Sequence, residues 1–133
     1  ALSTATKSLE IAQRPKTNNY FFTMYFQKYL AEIYQRKGDL AAAKMYLEKS
    51  IMLAKQFELK YQLIELYIAY AKYTEEVMKK KHIYSSENVR TSSELYNKAV
   101  LLAKELRLPN MIEFASKERS SFKTFCQLNS IEI

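Results

Sequence analysis

At 133 residues the chain is long enough for one domain and too short for two ordinary ones. One glycine and two prolines leave little room for the turns of a β-sandwich or barrel, and a lone Gly38 cannot build a phosphate-cradling loop. A net charge of +7 permits an acidic partner without demanding one, and 48% hydrophobic residues exclude a disordered chain.

An all-α protein is therefore expected, and the chain yields six helices in order. Ala1 to Arg14 reads as a short helix closed by Pro15. The next runs from about Asn18 to Lys37, where Phe21/Phe22, Tyr25/Phe26, Tyr29/Leu30 and Ile33/Tyr34 recur every four residues as one wide apolar face. Gly38 supplies the left-handed residue that a helix C-terminus favours, and Asp39 can cap the third helix. That helix, about Leu40 to Phe57, carries Leu40, Ala43, Leu47, Ile51, Ala54 and Phe57 on one side. The fourth starts near Lys60 with Leu63, Leu66/Tyr67, Tyr70 and Tyr73, and is expected to end near Lys79. Lys79–Lys80–Lys81–His82 and the polar run Tyr84–Asn88 then break the pattern. A fifth helix begins near Val89 and carries Leu95, Ala99, Leu102, Ala103 and Leu106 until Pro109 stops it. The last runs from about Asn110 to Leu128 with Ile112, Ala115, Phe122 and Phe125.

Charge and cysteine usage narrow the setting. The single Cys126 excludes an internal disulfide and suits a reducing, cytoplasmic compartment. No run of about 18 apolar residues is present to span a membrane. Residues 1–6 lack the basic region and apolar stretch of a secretory signal. Without an initiator methionine, the chain reads as a segment of a longer intracellular protein.

Enzymatic constellations are missing from the sequence. His82 is the only histidine and falls in the basic run, so no histidine pair can hold a metal, and no cofactor pattern is present. Cys126 lies on the apolar face of the last helix and reads as a small buried hydrophobe. Glu75 and Glu76 are adjacent, so their side chains point about 100° apart and read as a solvated helix edge.

Internal similarity is more informative. Residues 7–13, 49–55 and 98–104 align as Lys-Ser-Leu-Glu-Ile-Ala-Gln, Lys-Ser-Ile-Met-Leu-Ala-Lys and Lys-Ala-Val-Leu-Leu-Ala-Lys. Each occupies the later helix of a helix pair, as in a short solenoid whose units bury their faces on their neighbours. The stretch Leu30-Ala31, Tyr34, Gly38-Asp39, Ala43, Leu47, Ser50 resembles a tetratricopeptide repeat. Tyr70-Ala71, Ser92, Tyr96 and Ala99 match it in part, without a Gly-Asp turn. On this likeness residues 18–59 form one repeat and 60–108 a second, with an insertion near 79–88 that lengthens the turn or its flanking helices. Residues 1–14 are then the second helix of a preceding repeat, and 110–128 a terminal helix. The longer repeats of large bacterial transcription regulators are similar.

The resemblance implies a right-handed solenoid whose first helices line a groove that binds a protein or peptide. Carried over by position, the groove residues are Tyr25, Lys28, Glu32, Gln35 and Arg36 on one helix and Glu65, Ile68, Lys72 and Glu75 on the next. Eight of the 11 tyrosines fall on these two helices, more aromatic surface than one narrow stripe can bury. An apolar end left uncapped implies weak self-association. The alternative function is an effector-sensing or self-association segment of a bacterial transcription regulator, taking a small ligand or signalling peptide. Lys79, Lys80 and Lys81 form the one dense basic patch, read as a solvated run. Without interleaved aromatics it is not expected to bind nucleic acid.

Overall fold

The computed structural model of the protein describes residues 2–13 and 19–131. These residues form six helices and no strand. They are α1 (Leu2–Gln13), α2 (Tyr20–Lys37), α3 (Leu40–Gln56), α4 (Lys60–Lys81), α5 (Ser86–Glu105) and α6 (Pro109–Leu128). The ends expected at Arg14 for the first helix and at Asn18 for the second lie outside the described residues.

The α2, α3 and α6 boundaries have local chemical causes. Asn19 caps α2, its side-chain oxygen accepting the N–H groups of Phe21 and Phe22. Gly38 takes the left-handed conformation (φ 85°) and donates its N–H to the Gln35 carbonyl. Asp39 accepts the Ala42 N–H at 3.1 Å, so one Gly-Asp pair closes α2 and opens α3. Pro109 sits in the first turn of α6, where its missing N–H costs nothing. Elsewhere the left-handed turn residue is not glycine: Glu58, His82, Arg107 and Ser130 follow α3, α4, α5 and α6 with φ of 51–53°.

Three expectations are corrected. Helix α4 does not stop at Lys79 but runs to Lys81, and α5 starts at Ser86 rather than Val89. The basic run is thus the last turn of a helix. The extra residues of the second pair lengthen its helices, and a turn of residues 82–85 remains. Phe57 is not on the buried side of α3; it follows the helix as its C-cap and is exposed.

The chain packs as two compact units, Ala1–Leu66 and Tyr67–Ile133, the division falling within α4. In the first unit α1 packs on α2 and α2 on α3. Tyr20 stacks on Phe57, the Ser50 hydroxyl donates to the Met24 carbonyl, and Tyr34 stacks on Tyr46, so α2 and α3 run antiparallel. Ala5 and Leu9 of α1 meet Leu30 and Ile33 of α2 in a second apolar layer. In the second unit the Ser92 hydroxyl of α5 donates to the Ala71 carbonyl of α4, and Tyr96 of α5 meets Phe122 of α6.

The two pairs are built around the same buried quartet. Ala43, Leu47, Ser50 and Ala54 of α3 and Ser92, Tyr96, Ala99 and Ala103 of α5 share the spacing four, three, four, and all are essentially inaccessible. Small residues stand where helix backbones cross, and the one large residue fills the gap beside them. Ala43→Leu is accordingly expected to overpack its crossing and cost about 1–3 kcal/mol. A thermal melt followed by circular dichroism checks this, and an unchanged midpoint would contradict the packing.

Candidate interaction cleft

The second unit holds a cleft of about 340 Å³ lined by Lys72, Glu75, Glu76 and Lys79 of α4, Tyr96 of α5, and Glu118 and Ser121 of α6. Its walls are two helices that are not neighbours in sequence. Lys72 pairs with Glu118 at 3.1 Å, and the Lys79 ammonium lies 4.3 Å from the centroid of the Phe125 ring. Both contacts join residues 46 apart (118 − 72 and 125 − 79), so α4 and α6 run side by side in the same direction. The spacing also explains why the lining alternates in charge. Lys72, Glu75/Glu76 and Lys79 recur every three to four residues, one side of a helix.

Tyr96 forms the floor. It occupies the quartet position that Leu47 holds in the first unit, and its hydroxyl donates to Glu75 Oε2 at 2.8 Å. The other carboxylate oxygen of Glu75 pairs with Lys79 at 3.2 Å. Burial holds the Tyr96 phenol far above its ordinary range, and the charges of Glu75 and Glu118 and the hydrogen bond to Glu75 push the same way. Two carboxylates therefore converge on one neutral hydroxyl. The folded state keeps that proton, whereas the unfolded phenol ionises near pH 10. Stability from this group is complete below that pH and falls as pH rises above it. Melting midpoints between pH 9 and 11 should fall less steeply for Tyr96→Phe than for the parent chain, and parallel profiles would refute this assignment.

Of the residues expected to line a groove, Lys72 and Glu75 meet in this cleft. Glu75 is no solvated edge: its side chain is 14% exposed. Ile68 is corrected, because at 3% exposure it is a core residue and reaches no groove. In the first unit, Lys28 pairs with Glu65 at 3.7 Å across α2 and the start of α4. Tyr25 and Arg36 are exposed and Glu32 partly so, and on a helical wheel the three lie within about 40° of one another. Gln35 is half-buried on the Lys28 side of the helix. Lys79 joins the cleft instead of a loop, and Lys80 pairs with Glu76 at 3.4 Å. Lys81 ends α4, exposed, outside the cleft lining.

Sequence reasoning missed Glu76, Tyr96, Glu118 and Ser121 as lining residues. A signal for Tyr96 was present, since a tyrosine at a repeat position otherwise held by leucine brings a hydroxyl that needs a partner. Among the described residues no three His, Cys, Asp or Glu side chains are placed to hold a metal ion, and no helix is long and apolar enough to cross a membrane. No family model, curated protein or solved structure matches the chain.

Proposed function

We propose that the chain is a non-catalytic helical-repeat module of the tetratricopeptide type that binds a segment of a partner protein along its first helices, in the cytoplasm. One observation carries this reading: α4, α5 and α6 jointly line an open cleft with mutually paired side chains, and two exposed or half-exposed phenylalanines, Phe114 and Phe125, adjoin it. Flat aromatic area beside a polar lining is the surface chemistry of protein recognition. Lys72, Lys79 and Lys80 pair with Glu118, Glu75 and Glu76, so the charged groups of the cleft compensate one another and the lining is suited to holding a ligand rather than transforming it. The exposed Tyr25–Glu32–Arg36 face of α2 adds a second surface of the same mixed character. Lys79 and Lys80 each pair with a glutamate one turn earlier, which leaves less of their charge for a phosphate backbone.

Selection of random peptides displayed on phage against the intact chain tests the reading. Peptides recovered should bind in solution and lose about tenfold or more in affinity for Ser121→Trp, which fills the cleft from an exposed position without touching the core. Failure to recover any peptide, or full affinity in both Ser121→Trp and the pair Tyr25→Ala with Arg36→Ala, would overturn it.

A further inference from the structure

We infer that the α4–α6 cleft selects a cationic side chain, an arginine next to an apolar residue, from the partner segment. This rests on the peptide-binding reading above and names what that reading leaves open. The first argument is depth. Glu75 and Glu118 are 14% and 24% exposed, whereas the lysines that pair with them, Lys79 and Lys72, are 46% and 48% exposed. Two of the three lining carboxylates lie inside the cleft, and the ammonium groups stand at its mouth with Glu76, which is 42% exposed.

The second argument is charge. Three glutamates face two lysines in the lining, and Lys80 pairs with Glu76 beside it, so the cleft is neutral in a chain that carries +7. An anionic ligand that passes the ammonium groups at the mouth would meet the deeper carboxylates of Glu75 and Glu118. A cation that displaces one of the lysines meets those carboxylates directly, whereas the overall positive charge of the chain opposes its binding elsewhere.

The site already holds cations in the required manner. Lys72 and Lys79 lie 5.9 Å and 4.3 Å from the ring centroids of Phe114 and Phe125 while pairing with carboxylates. Those lysines are half-exposed, so their ion pairs are weak and exchangeable. An incoming guanidinium can take over a carboxylate and a ring face together. Its planar, weakly hydrated fork suits both better than an ammonium does. Phe114, 45% exposed, offers apolar area to the neighbouring residue of the ligand.

The test uses the intact chain and three fluorescein-labelled peptides with one Gly/Ser host, carrying Phe-Arg, Phe-citrulline or Phe-Glu at the centre. Citrulline keeps the shape of arginine without its charge. By fluorescence polarisation the arginine peptide should bind about tenfold or more tighter than the citrulline peptide, with the glutamate peptide weakest. Glu118→Gln, which leaves the Tyr96–Glu75 bond in place, should remove most of that advantage, and adding Glu75→Gln should remove the rest. Raised salt should shrink it as well. Equal binding of the arginine and citrulline peptides would overturn the cation selectivity and leave peptide binding standing. Tightest binding of the glutamate peptide would overturn it in favour of an anion site at Lys72 and Lys79. If none of the three binds, cation selectivity and peptide binding fall together.

Discussion

Tyr96→Ala should destabilise the protein by about 3–5 kcal/mol, several times the cost of Tyr96→Phe. The side chain is 1% exposed and its ring lies 5.6 Å from that of Phe122, so it ties α5 to α6. Its hydroxyl ties α5 to α4 through Glu75. Alanine removes both connections and leaves a cavity beside small residues one turn away on α5, Ser92 and Ala99, that cannot expand to fill it. Phenylalanine keeps the ring and loses one hydrogen bond, worth about 1 kcal/mol, because Glu75 retains Lys79 as a partner. Urea denaturation of the three proteins, compared at equal m-value, measures both differences. If alanine cost no more than phenylalanine, Tyr96 would not be the floor of the cleft.

The features legible in the sequence were those that local chemistry decides. Gly38 and Asp39 announce a helix end and a helix start within two residues, and Pro109 marks a first turn. The repeated small-large-small pattern was visible because a helix crossing constrains residue size at fixed spacing. The end of α4 was not legible in this way. Lysine is a good helix former, and Glu75 and Glu76 support Lys79 and Lys80 one turn later, so the helix continues after its apolar stripe has stopped. Ser85 then caps α5 through the Asn88 N–H, turning a polar stretch that reads as loop into a helix start. Ile68 was misplaced because α4 is buried around most of its circumference: Leu63, Ile64, Leu66, Tyr67, Ala71, Tyr73 and Met78 are buried too. No single wheel orientation then separates a groove side from a core side. Glu118 and Ser121 were out of reach for another reason. Their cleft partners lie some 46 residues away, and only tertiary packing brings α6 beside α4.

Cys126 offers a direct reading of that packing, because its thiol should react with Ellman's reagent on the order of a thousandfold more slowly in the native chain than in concentrated guanidinium chloride. The residue is fully inaccessible on the inner side of α6. Burial raises the thiol's ionisation above its usual range, the Glu75 charge adds to this, and Lys79 offsets part of it. Both effects deplete the reactive thiolate, and access requires α6 to lift from the rest of its unit. Phe122, one turn earlier, holds α6 against Tyr96, so Phe122→Ala should cheapen that opening and speed labelling on the order of a hundredfold. Native labelling as fast as that of a free thiol would mean that α6 does not pack as described. The same rate reports on the cleft. A peptide held between α4 and α6 binds the closed state and not the opened one, so it must slow labelling further in proportion to its occupancy. Labelling of one thiol therefore reports occupancy of the cleft without any change to its lining.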